Sequence, residues 1–151
     1  LMQTGKQTMI PLVLLDHPGG SYWSDLGKFI EKQLRDGGTI SPEDVSLYKI
    51  TNSVDEAIDE TLNFYRVYHS MRYIKDRLVF RLKSKLSLQR LQQIQSEFAD
   101  ILVDGEYQQA DALPEESGEP DLAHLPRLVF HFNQRSLGRL RMLINTINAP
   151  E

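Results

Sequence analysis

Apolar residues recur along this chain at three spacings, and each spacing predicts a different element. Residues 9–16, Met-Ile-Pro-Leu-Val-Leu-Leu-Asp, form an unbroken apolar run ending in an acid. A fully buried parallel strand reads this way, with Pro11 at its start because proline has no N–H to give a ladder. After the loop at 17–21, apolar residues return at helical spacing: Leu26, Phe29, Ile30 and Leu34. Ser21 or Ser24 is placed to cap that helix, and Gly37-Gly38 ends it. Ser41-Pro42 opens a short helical segment, and residues 47–51 read as a second strand. Ser53 and Glu56 have capping-box spacing ahead of a helix with Ala57, Ile58, Leu62 and Tyr65 on one face. Strand–helix–strand–helix is the order of a parallel, helix-covered sheet. Two strands are few for such a sheet, so further strands are expected upstream of Leu1.

From residue 69 the spacing changes. Alternation from His69 to Leu82 around Lys75-Asp76 predicts a hairpin or one bent strand. Ser87 caps a helix carrying Leu88, Leu91, Ile94, Phe98, Ile101 and Leu102 on one face. A strand is expected around Tyr107, an exposed acidic loop from Pro114 to Pro120, and a strand over 128–132. A last helix starts at Asn133 or Ser136 and turns Leu137, Leu140, Ile144 and Ile147 inward. The order β-β-α-β-β-α predicts a small α+β unit with its helices on one face of an antiparallel sheet.

Composition narrows the chemistry. Of 151 residues, 40% are hydrophobic, enough to bury a core. A net charge of -4 disfavours a globally basic nucleic-acid binder. No cysteine is present, which excludes disulfides, thiol catalysis and cysteine-ligated metals. The longest purely apolar run, residues 12–15, is too short to span a membrane, and no secretory signal is visible. The expected location is cytoplasmic. A start at Leu1-Met2-Gln3 suggests a fragment. Charge is segregated: residues 66–90 carry eight Lys and Arg against Asp76, while residues 104–126 carry seven acids and no Lys or Arg. Two readings follow. Either the surfaces neutralise each other, within the chain or across a dimer, or the basic stretch, interleaved with Tyr65, Tyr68 and Tyr73, is an anion site for phosphate or RNA.

The candidate site is the loop after the first strand, Asp16, His17, Pro18, Gly19, Gly20, Ser21, Tyr22 and Trp23. Open α/β sheets bind ligands beyond the carboxyl ends of their strands. The glycines allow close approach, the following helix start suits a phosphate, and Tyr22 or Trp23 can stack on a base. A plain connecting loop with packing aromatics explains the same residues. Pro18-Gly19-Gly20 is neither a Walker loop nor a dinucleotide fingerprint. His17 has the chemistry of an acid–base group or ligand contact, and equally of an exposed loop histidine. Asp16 reads either as a catalytic acid or as a cap for the next turn. No histidine spacing builds a metal site.

Together, Gln3-Thr-Gly5, the Ile10–Asp16 strand, Gly20-Ser-Tyr22-Trp23 and Gly38-Thr-Ile-Ser41 resemble the carboxyl half of the LOG (Lonely Guy) family, long labelled possible lysine decarboxylases. The likeness covers about residues 1–65. It implies a fold that is α/β: a partial Rossmann-like parallel sheet over residues 1–68, followed by the accessory α+β (ββαββα) domain at 69–151. It further implies hydrolysis of the N-glycosidic bond of nucleoside 5′-monophosphates to base and ribose 5-phosphate, by homodimers needing no redox cofactor. Nucleotide contacts would fall on Asp16, His17, Gly19, Gly20, Ser21, Tyr22 and Trp23. Asp16 stands where the family commonly has Asn, and the Gly20–Tyr22 stretch has one extra residue. The family's Pro-Gly-Gly-x-Gly-Thr-x-x-Glu motif would sit before Leu1, so no catalytic residue carries over. The alternative is a regulatory module for a small ligand or RNA, or a segment that supplies only a dimer interface.

Overall fold

The structure, a computed structural model, describes residues 8–150; the Gln3-Thr-Gly5 part of the resemblance lies outside the described residues. The chain is mixed α/β, with a two-stranded parallel sheet followed by a four-stranded antiparallel one. The parallel pair is β1 (Val13–Leu15) and β2 (Lys49–Thr51), in register Val13 to Lys49 and Leu15 to Thr51. Pro11 precedes the ladder, as its missing N–H requires. The strand is shorter than its apolar run and not fully buried. Leu12 and Leu15 are 39% and 40% exposed, because β1 has a described partner on only one edge.

One helix covers each face of this pair. Helix α1 (Tyr22–Phe29) continues through a π-helical segment, Ile30–Arg35, to Gly38, whose φ of 73° ends it. The expected stripe of Leu26, Phe29, Ile30 and Leu34 is not the contact face. Leu26 and Phe29 are exposed, and Gly27 is the buried residue of the helix. A Cβ on Gly27 would lie 2.6 Å from Ile50 Cδ1, so the missing side chain brings the helix against β2. Helix α2 (Val54–Phe64) covers the other face. Its N-cap Ser53 accepts from the Glu56 N–H at 3.3 Å, while the Glu56 carboxylate takes the Thr51 hydroxyl at 2.6 Å instead of closing the box. Ile58 and Leu62, expected to face inward, are 51% and 66% exposed; Phe64 is the helix's core residue.

The second sheet has the order β3-β4-β6-β5: β3 (Tyr68–Ile74), β4 (Arg77–Leu82), β5 (Gln108–Ala110) and β6 (Arg127–Phe130). The 69–82 stretch is a hairpin, turning at Lys75 with φ 54°. Helices α3 (Leu88–Glu97) and α4 (Leu137–Asn148) pack on one face, completing the ββαββα order. Leu78, Phe80, Leu82, Leu128, Phe130 and Phe132 meet Ile94, Phe98, Leu140, Ile144 and Ile147 in the core. Phe80 and Phe130 stack edge to face at 5.2 Å, each side chain contributing on the order of 2–3 kcal/mol by leaving water. Leu88, expected on the packed face of α3, is 79% exposed.

The core runs on into the part of the chain before β3 through Met9, Leu47 and Phe64. Helix α4 makes the join. Gly138 lies against the 3-10 helix Pro42–Leu47, where a Cβ would meet the Glu43 carbonyl at 2.4 Å, and Ser46 donates to the Gly138 carbonyl at 2.9 Å. Arg141 pairs with Glu60 and lies over the Phe64 ring at 4.6 Å. Asn148 accepts from the Val67 and Tyr68 N–H groups at 2.8 and 2.9 Å and donates to the Phe64 carbonyl at 2.6 Å. Among the described residues no helix is long and apolar enough to cross a membrane.

Candidate functional site

The loop 16–23 leaves the carboxyl end of β1 and enters α1, so the topology puts it where α/β sheets hold ligands. Neither Ser21 nor Ser24 caps the helix with its hydroxyl. Ser21 donates to Asp25 at 2.8 Å, and Ser24 donates to the Ser21 carbonyl at 2.9 Å. The cap is Asp16, seven residues upstream of Trp23. Its carboxylate accepts from the Trp23 N–H at 3.2 Å and from the Ser24 N–H at 3.3 Å. Asp16 is 6% exposed, and its own N–H donates to the Thr51 carbonyl at 2.9 Å, extending the β1–β2 pairing by one residue. Of the two roles open to Asp16, its contacts are those of a cap.

The rest of the loop faces water. Gly19 turns with φ 78°. The His17 ring folds over Gly20, where a Cβ would come within 2.9 Å of the ring and 3.0 Å of the His17 carbonyl, so the turn is tight there. His17 Nδ1 lies 3.0 Å from the Pro18 carbonyl. Tyr22 is 74% exposed and meets the half-buried Trp23 edge to face, with ring centroids 4.9 Å apart. The loop thus offers an exposed tyrosine backed by a half-buried tryptophan, an exposed imidazole and open backbone beside a buried carboxylate.

The segregated charges meet within the chain. Residues 111–126 cross the sheet face opposite the helices and bring their acids onto it. Glu116, in the stretch expected to be exposed, is 3% exposed and receives Arg81 Nε at 2.9 Å and Arg127 Nε at 2.7 Å. Register explains the meeting: Arg81 and Arg127 are directly opposed on β4 and β6. Burial opposes ionisation of Glu116, but hydrogen bonds from Arg127, Arg81 and the Leu113 N–H outweigh it and hold the carboxyl at about 2. Glu119 pairs with Arg72 and Arg81, Glu115 with Lys75, Asp104 with Arg77, and Asp111 with Lys85. The basic stretch is therefore matched by the chain's own acids, which removes most of the free charge an RNA or phosphate face needs. Tyr68 is buried in the core, so it presents no stacking surface.

Among the described residues no group of His, Asp or Glu could hold a metal ion. Three structural devices are not marked by local spacing: Gly27, Gly138 and Glu116. The glycines carried a signal, since glycine inside a helical pattern costs about 1 kcal/mol against alanine and implies close packing.

With that geometry in place, comparison with known proteins adds one likeness. No curated protein and no solved structure matches the chain. Residues 1–61 match the family described as "Possible lysine decarboxylase", a LOG-like family, and that stretch contains both parallel strands and the whole loop 16–23.

Proposed function

We propose that the chain is part of a nucleotide-binding hydrolase that cleaves the N-glycosidic bond of nucleoside 5′-monophosphates. Water adds its hydroxyl to the ribose C1′, its proton goes to the departing base, and ribose 5-phosphate remains. The family match over residues 1–61 carries the reading. The aromatic loop at the carboxyl end of β1 supports it. In this reading residues 1–68 are the carboxyl-terminal part of a Rossmann-like nucleotide-binding domain and 69–151 an accessory α+β domain. The free edge of β1 and the exposed Val54, Ile58 and Leu62 of α2 suit a sheet that continues past β1. Working as a homodimer, with a cytoplasmic location and no cofactor, belongs to the same proposal.

His17, Gly19, Gly20, Ser21, Tyr22 and Trp23 would line the nucleotide pocket, with Asp16 holding their helix in place. No residue of this chain is assigned the catalytic step. The alternative, a module binding a small ligand or RNA through residues 66–90, loses its cations to the internal pairs.

The test is release of ribose 5-phosphate from AMP, measured on this chain and on the longest open reading frame containing it. Activity is expected from the longer protein; its absence there refutes the proposal. In the active protein, Tyr22→Ala and Trp23→Ala should raise KM for AMP about tenfold with little change in kcat. Unchanged kinetics would remove the loop from the pocket.

A further inference from the structure

The loop between β5 and β6, residues 111–126, is fastened to the sheet by charge. Ala110 and Arg127 face each other in the ladder, so the two feet of the loop stand side by side. Between them the chain forms two 3-10 turns, Pro114–Glu116 and Pro120–Leu122. Its backbone bonds are local: the N–H groups of Glu116, Glu119, Leu122 and Leu125 each donate to the carbonyl three residues before. Lifting the loop off the sheet breaks none of them. Glu116 on Arg81 and Arg127, Glu119 on Arg72 and Arg81, and Glu115 on Lys75 hold it down. Leu125, two residues from β6, is its buried apolar anchor. A segment with so little apolar contact opens at lower free energy than the core.

Beneath the loop lies a row of cations. Register sets Ser70, Arg81 and Arg127 abreast on β3, β4 and β6, and alternation puts Arg72 on the same face. Neighbouring strands lie about 5 Å apart, so these groups form a track and not a single pocket. The carboxylates match it incompletely: Nη2 of the fully buried Arg127 has no acceptor. A run of phosphates brings more acceptor oxygens along such a track than three glutamates do. We propose that loop 111–126 is a guard: its glutamates occupy the cation track of β3, β4 and β6 and yield it to the phosphate backbone of a single-stranded nucleic acid. Closed, the face has little charge to offer; opened, it offers Arg72, Lys75, Arg81 and Arg127. Ser70, Arg72, Val79, Arg81 and Arg127 include no ring to stack on a base, so the contact is with phosphate and carries no base preference. The inference stands independently of the hydrolase reading.

The experiment measures binding of a labelled oligouridine to the 151-residue chain by fluorescence anisotropy over a range of salt concentrations. Glu115→Gln/Glu119→Gln releases the outer pairs at two partly exposed carboxylates and keeps the buried Glu116, so the fold is retained. This variant should bind at least about tenfold tighter than wild type at low salt. Its log affinity should fall more steeply with log salt, by about 1.4, the share of two further phosphates on a single strand. Asp55→Asn/Asp59→Asn, on the exposed side of α2, changes the net charge equally and should stay within about threefold of wild type. Equal gains from the two variants would reduce the effect to net charge and overturn the proposal. So would a Glu115→Gln/Glu119→Gln chain that binds no better than wild type. Hydrogen exchange adds the location: amides 113–125 should exchange faster in the bound variant than in free wild type. If the variant binds and their exchange is unchanged, the nucleic acid lies elsewhere and the loop is no guard.

Discussion

Replacing Glu116 with glutamine tests how the acidic segment 111–126 is held on the sheet. The substitution keeps the size and one oxygen acceptor but removes the charge between Arg81, 5% exposed, and Arg127, fully buried. Two routes give the magnitude. Lowering the carboxyl from an ordinary 4.5 to about 2 corresponds to about 3 kcal/mol of stability. Breaking a buried pair so that a cation is left uncompensated costs about 3–5 kcal/mol. Both place Glu116→Gln about 3 kcal/mol below wild type at neutral pH, read as a lower urea midpoint at unchanged slope.

The pH dependence tests the same origin independently. A carboxyl whose folded value is depressed stabilises above its unfolded value and loses that contribution as pH falls through the folded one. The gap between wild type and Glu116→Gln should therefore be full above about pH 4.5 and close progressively toward pH 2. Other carboxylates titrate in both proteins and cancel in the difference. A loss below about 1 kcal/mol at neutral pH, or a gap that persists at pH 2, would refute the claim that this ion pair holds the segment.

Two glycines separate rigid from yielding contacts. Gly138→Ala places a Cβ 2.4 Å from the Glu43 backbone, which cannot step aside, and should cost about 2 kcal/mol or more in thermal or urea unfolding. Gly27→Ala meets only the tip of Ile50, and alanine's helix propensity offsets part of the strain, so its stability should stay within about 1 kcal/mol of wild type. Asn148→Ala strands the Val67 and Tyr68 N–H groups and the Phe64 carbonyl, for an expected loss of about 2–4 kcal/mol; Asn148→Asp keeps the acceptor and should recover part of it, as denaturant midpoints will show.

Element order was legible from local spacing, because period-two and helical repeats report which residues share a face before any partner is known. The hairpin at Lys75, the helix caps at Ser53 and Ser87 and the inward stripe of α4 all follow from signals within a few residues of one another. The position of the candidate loop was legible too, since a βα connection lies at the carboxyl end of its strand.

Which partner meets each face was not written locally. The spacing of Ile58 and Leu62 marks an apolar stripe on α2 but cannot say whether anything covers it, and in this chain nothing described does. The roles of Asp16 and Glu116 needed the tertiary structure for the same reason. Either acid could have faced water. Asp16 became a cap because the chain returns through α1 across its strand end, with Trp23 seven residues on. Glu116 became a buried counter-ion because β4 and β6 pair in the register that sets Arg81 opposite Arg127. A charge's partner is chosen by distance in space, and sequence spacing measures that distance only within a turn or a hairpin.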